Sequence, residues 1–258
     1  MYTGTFVFQD GETATFLVGS LELRIWARQG EWRLAVRHDP DPLLDRLAVT
    51  KPAGEWDPPP GAKLQRIASD STDRILVIEV ALADRDVVIR PDPPLVVLPG
   101  DAVKVFVGTP LWLRLLTGDG RTIAEIPTVR MPHTWFGPSP RVGELCYALR
   151  TRARVSAAEM PRTSHRAIAV LSVTNEDDDR LVLERLKVPV PHLGVFRAED
   201  GSHWTQSLSI VRARGRDDAR VEVDAGAPAI AGPVQAVAEA RLRGTPGMLV
   251  RAFDALLS

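Results

Sequence analysis

The chain has 258 residues, 45% of them apolar and 25% charged, an ordinary globular composition that argues against a disordered or fibrous class. Its 32 Lys and Arg against 33 Asp and Glu leave a net charge of −1. That balance lacks the basic excess on which nucleic-acid binding depends, so no nucleic-acid partner is expected.

The start, "MYTGTFVFQDGETATF", has neither the basic nor the apolar segment of a secretory signal. The longest apolar candidate, residues 93–116, is broken by Pro99, Gly100, Asp101, Lys104 and Pro110, short of the roughly 18 unbroken residues that a spanning helix needs. A single cysteine, Cys146, rules out an intramolecular disulfide and any multi-cysteine zinc site. Together these features predict a cytoplasmic chain with no direct membrane insertion.

Alternation with period two, the signature of a half-buried strand, dominates the chain. In "SLELRIWARQGEWRLAVRH" (20–38), Leu21, Leu23, Ile25 and Ala27 share one face, and Gln29-Gly30 turns the chain. Trp32, Leu34 and Val36 then return on the next strand. The segment "DPLLDRLA" (41–48) reads as a short helix, capped by Asp41 and opened by Pro42. Two β-branched runs follow in residues 74–91 and three more in 101–129, with Asp119-Gly120 a hairpin signal.

Residues 145–156 and 165–190 continue as strands, around an acidic tip from Asn175 to Asp179 that reads as a solvated hairpin end. Pro189 and Pro191 suggest an edge strand or a crossing between sheets, and Asp200-Gly201 marks another turn. A helix is expected at "TPGMLVRAFDALLS", with Thr245 as cap and Pro246 at its first position. The fold predicted is all-β, two sandwich-like antiparallel lobes over residues 1–127 and 128–244, with a docked C-terminal helix at 245–258.

The chemistry-bearing residues concentrate in "HTWFGPSPRVGELCYALRT" (133–151). One reading is a corner, turned by Gly137, Pro138 and Pro140 and filled by Trp135 and Phe136. A second is a recognition surface of Arg130, His133, Trp135, Phe136, Arg141 and Glu144, because Trp, Phe and Arg are enriched at binding hot spots and loops carry function more often than scaffolds do. A third is a metal or small-ligand site drawn from His133, Glu144, His165 and His203, or a nucleophilic Cys146 paired with a histidine. Against the nucleophile, Cys146 alternates with Leu145 and Tyr147 in an apparent strand and shares a face with Ala148, as an inert packed thiol would. Trp56, Trp135 and Trp204 leave a carbohydrate platform as a further alternative.

No dinucleotide or phosphate-loop motif, nucleophile elbow or zinc-protease helix is present. The acidic stretches "HDPDP" and "NEDDD" lack calcium-loop spacing. No cofactor is therefore expected, and the leading reading is a non-catalytic binding or regulatory module.

The phrases "AEIPTVRMPHTWFG", "GELCYALRT" and "LERLKVPVPHLGVFRAEDGSHWTQ" resemble an uncharacterised bacterial and archaeal family designated only as a domain of unknown function. The resemblance spans nearly the whole chain and implies one family unit. It carries no activity, ligand or residue role, but it implies a protein partner, with a membrane channel as the lead.

Overall fold

The computed structural model describes residues 1–51, 56–70, 73–215 and 219–242. The expected C-terminal helix lies outside these residues. The fold is all-β, and the helical pieces among the described residues are three 3-10 turns at Ala157–Glu159, Val190–His192 and Ala229–Ala231. No helix among them is long and apolar enough to cross a membrane.

The chain forms two compact units, each assembled from separated segments. Unit 1 comprises residues 1–81, 110–130 and 163–165, and unit 2 comprises 82–109, 131–162 and 166–258. The sequence reading expects consecutive lobes divided at 127/128, whereas the contacts give interleaved units that no single cut separates.

Unit 1 holds two antiparallel sheets. One contains β1 (Gly4–Val7), β7 (Ile75–Ala81), β11 (Trp112–Thr117) and β12 (Thr122–Pro127), in that order. The other contains β5 (Leu47–Thr50), β2 (Thr13–Val18), β3 (Leu21–Arg28), β4 (Glu31–His38) and β6 (Lys63–Ala68). The alternation seen in the sequence fills the core: Leu21, Leu23, Ile25, Ala27 and Leu34 are all fully buried. Phe6 of β1 meets Phe16 of β2 edge to face at 5.0 Å, in the geometry that aromatic quadrupoles favour. The Gln29-Gly30 turn joins β3 to β4 as expected, with Gly30 at a φ of 81° that a side chain would resist.

The segment 41–48 is not a helix. Asp41 Oδ1 accepts the Leu43 N–H at 2.9 Å, closing a local turn that competes with helical bonding. Leu47–Thr50 then leaves as β5 to pair with β2.

Unit 2 contains β8 (Val87–Pro91), β9 (Leu95–Val97), β10 (Ala102–Pro110), β13 (His133–Ser139), β14 (Val142–Thr151), β15 (Arg166–Asn175), β16 (Leu181–Leu183) and β17 (Leu186–Val188). It continues with β18 (Val195–Ala198), β19 (His203–Trp204), β20 (Leu208–Arg212), β21 (Ala219–Val223) and β22 (Val234–Ala238). One sheet runs β13-β14-β8-β17 and a larger one runs β21-β20-β15-β19-β18-β22, with β10 also on β15. Pairing here is not purely antiparallel: β14 lies parallel to β8, and β15 lies parallel to β19 and β20. Parallel neighbours need long crossover connections, and a period-two pattern gives a strand's faces without naming its partner.

Two further expectations change. Residues 175–179 do not form a hairpin tip, because β16 pairs with β9 and not with β15. Asn175 is fully buried instead. Its Nδ2 donates to the Val97 carbonyl at 3.2 Å and to the Asp179 carbonyl at 2.8 Å. Its backbone N–H donates to the Asp101 carbonyl, and its own carbonyl accepts the Gly100 N–H. Around Pro189 and Pro191 the chain forms a buried 3-10 turn and not an edge strand.

Through its side chain Asn175 thus ties the end of β15 to β9 and to the Asp179 loop. Asn175→Ala leaves buried carbonyls without donors and is expected to cost about 2 kcal/mol, read by urea denaturation. A loss under about 0.5 kcal/mol, the range of an ordinary surface substitution, would mean that water replaces the amide without cost.

Candidate functional site: the β13–β14 hairpin

The hairpin follows from its register. His133 pairs with Tyr147, Trp135 with Leu145, and Phe136 with Glu144, before an irregularity between Phe136 and Ser139. Because side chains alternate across a strand, His133, Trp135, Leu145 and Tyr147 share one face, while Thr134, Phe136, Glu144 and Cys146 share the other. The second face enters the core, where Phe136, Cys146 and Val88 form a buried cluster.

The first face stays partly open. Trp135 is 42% exposed and Leu145 45%, with Val142 at 62% beside the tip. The indole is nonetheless fixed. Its Nε1 donates to the Ser139 carbonyl at 2.8 Å, and a Cβ on Gly143 would lie 2.7 Å from that nitrogen, so only glycine lets the ring settle over the hairpin. Ser139 Oγ in turn accepts the backbone N–H groups of Arg141 and Val142, at 3.3 and 3.1 Å.

Beneath the hairpin lies a charged brace. The side chain of Lys187 is 5% exposed and contacts Asp86 at 3.4 Å and the Glu144 carboxylate. Burial raises the Asp86 carboxyl above its usual range, and the Lys187 ammonium pulls it back. Arg185 and Lys187 both stand over the Phe136 ring, at 5.4 and 5.6 Å. Arg185 Nη2 also donates to the Trp135 carbonyl at 2.6 Å.

The predicted residues therefore divide. His133, Trp135 and Arg141 are exposed, Phe136 is buried, and Glu144 is exposed but held by Lys187. Arg130 belongs to unit 1, where it lines a cleft beside His38. The sequence reading groups Arg130 with the hairpin residues, whereas the contacts assign it to unit 1 and the hairpin to unit 2.

The alternative chemistries find little to work with. Among the described residues, no three His, Cys, Asp or Glu side chains gather as metal ligands, and His165 lies buried in unit 1, 3.4 Å from Asp45. The Cys146 thiol is fully buried and pushed up to about 12, first by burial and then by the Glu144 and Asp86 carboxylates. It is a thiol, not a thiolate, at neutral pH. Trp204 is 1% exposed within a core cluster, so it offers no ring face to a sugar, and Trp56 tilts against Trp26 in unit 1. Nothing in the sequence marks Lys187, since a lysine in "ERLKVPV" reads as a solvated charge until its partners are known.

A family model described as "Protein of unknown function (DUF432)" matches residues 2–257. No curated protein and no solved structure matches the chain.

Lys187→Met would leave the largely buried Asp86 carboxyl without its ammonium partner and is expected to cost about 3 kcal/mol. Adding Asp86→Asn should recover much of that loss in chemical denaturation, and a neutral single variant would remove the brace from the account.

His203 supplies a pH test. Burial, with Arg197 nearby, lowers its pKa to about 4, below the unfolded value of roughly 6.5. The native state then binds fewer protons than the unfolded one between these values, so the stability is present above pH 6.5 and fades as pH falls towards 4, by something on the order of 3 kcal/mol. Comparing pH–stability curves of the wild type and His203→Gln isolates the effect; identical slopes would show that His203 protonates freely in the folded state.

Proposed function

Since the chain belongs to the DUF432 family, whose description assigns no activity, we propose a function from the hairpin itself: a non-catalytic binding module that engages a protein partner through the outer face of β13–β14. The observation that carries this reading is the exposed Trp135–Leu145 pair, held rigid by the Ser139 hydrogen bond and by close approach to Gly143. A rigid aromatic on the surface offers contact area at little entropic cost on binding, and aromatic anchors dominate the energetics of most interfaces. Arg141 and His133 supply a polar rim.

Recognition by side chains suits this edge better than strand addition. β13 is the outer strand of its sheet, but Arg185 caps the Trp135 carbonyl and Pro138 lacks an N–H. Both are devices that blunt an open edge. Residues that would serve catalysis in another setting are engaged here: Cys146 as a packed thiol and Lys187 in its ion pairs. A reducing cytoplasmic compartment, consistent with one buried free cysteine, and association with a membrane channel belong to the same proposal. So does a face-to-face sandwich of the two sheets of unit 1, supported by the Phe6–Phe16 contact.

The test is affinity capture from native cells, membranes included, followed by binding of the purified partner. Trp135→Ala and Leu145→Ala, with melting temperatures near wild type, should each weaken that binding by about tenfold or more, the scale of a hot-spot truncation. Leu43→Ala, at a still more exposed apolar position in unit 1, should leave it unchanged. Equal binding by all variants would reject the hairpin as the recognition surface.

A further inference from the structure

Unit 1 carries a second site with different chemistry. A cleft of about 610 Å³ opens among the end of β4, the start of β6 and the end of β12, within the range of small-molecule sites. Its walls are tied together by His38, whose Nε2–H donates to the Pro127 carbonyl at 2.7 Å. A cleft whose walls are already joined needs little reordering to take a ligand.

The charges around it are unequally committed. Arg37 is held by Glu22, and Glu125 accepts from Arg114 at 2.8 Å. Asp39 turns its Oδ1 to the Asp41 N–H at 3.0 Å. Lys63 and Arg130 line the same cleft, and among the described residues neither has a carboxylate partner. Arg130 is close enough to His38 for its charge to disfavour imidazolium there. Two cations without carboxylate partners thus face a concavity that also presents the apolar side chains of Val36, Ile126 and Pro127. With Arg37, Lys63 and Arg130 against Asp39 and Glu125, the lining keeps an excess of positive charge.

We propose that this cleft binds a small molecule through an oxyanion group, phosphate or carboxylate, with Arg130 as the forked donor and Lys63 as the opposing point charge. An arginine fork matches two oxygens of either group, while an ammonium adds charge without fixing geometry. While the His38 imidazole is neutral, its Nδ1 is an acceptor and suits a ligand that also carries a hydroxyl.

Inorganic phosphate and succinate, each titrated at constant ionic strength with chloride as the reference salt, serve as probes in calorimetry and in nitrogen-detected NMR of the His38 ring. Saturable binding of either probe is expected, weakened about tenfold by Arg130→Ala, the loss of one charge-assisted pair, and by a similar factor by Lys63→Ala. Phosphate bound in preference to succinate assigns the site to phosphoryl compounds, and the reverse assigns it to carboxylates. Trp135 does not line the cleft, so Trp135→Ala should bind the probe as wild type does. A response no larger than that to chloride, or one unchanged in both Arg130→Ala and Lys63→Ala, would overturn the proposal and leave the hairpin reading untouched.

Discussion

Everything described at the hairpin depends on how Tyr147 is held. It is the one position of β14 paired with both neighbours, opposite His133 of β13 and opposite Val87 of β8. Its backbone N–H donates to the Asp86 carbonyl at 2.9 Å, and its hydroxyl donates to Asp84 Oδ1 at 2.9 Å. The ring stacks at a tilt against His133. Burial, joined by the bond to Asp84, pushes the phenol up to about 12, so it remains a donor at any physiological pH. With Tyr147 pinned at three points, the register of β14 is set, and a register error of one residue would exchange its two faces. Cys146 and Phe136 would then meet water, and Trp135 and Leu145 would enter the core.

The brace of Lys187, Asp86 and Glu144 acts on the opposite face of the same strand. A buried ion pair of this kind adds little net stability over well-packed apolar residues, because desolvation offsets the attraction. Its contribution is better understood as specificity. Asp86 offers its carbonyl to Tyr147 and its carboxylate to Lys187. The backbone and side chain of one residue therefore fix the same strand from two directions. Only the native register satisfies both, which turns an energetically modest interaction into a selective one.

The sequence made much of this legible and concealed the rest for identifiable reasons. Period-two patterning located the strands, and it placed Leu21, Leu23, Ile25 and Ala27 in the core and Cys146 on a packed face, because burial of apolar side chains obeys the local geometry of a strand. The Gln29-Gly30 turn was readable for the same local reason. What patterning could not carry was partnership. The parallel pairings of β8 with β14 and of β15 with β20, the tie of Asn175 to Val97, and the ion pairs of Lys187 all join residues far apart in the chain. An acidic, hydrophilic stretch at 175–179 looks solvated on composition, yet its first residue is buried because its amide satisfies two carbonyls at once. The segment at 41–48 failed differently: the Asp41 side chain that would cap a helix closes a turn instead, and sheet pairing at β5 takes the residues that would have extended it.

The exposed face of the hairpin carries a physical cost that the rest of the strand pair does not share. Trp135 and Leu145 sit opposite each other on a sheet face with apolar area in water, an arrangement that burial would relieve by roughly 25 cal/mol for each Å² covered. Packing the indole against Gly143 recovers part of that area, and the Ser139 carbonyl satisfies the ring N–H so that the remaining surface is apolar with no unmet polar group. An interior-quality environment has thus been built around a side chain that stays partly in solvent. A tryptophan fixed in this way binds with little further loss of freedom, whereas one exposed by accident would be mobile and would lose rotamer entropy on docking. The hairpin's proposed role in recognition therefore rests on the fixed placement of the indole more than on its exposure.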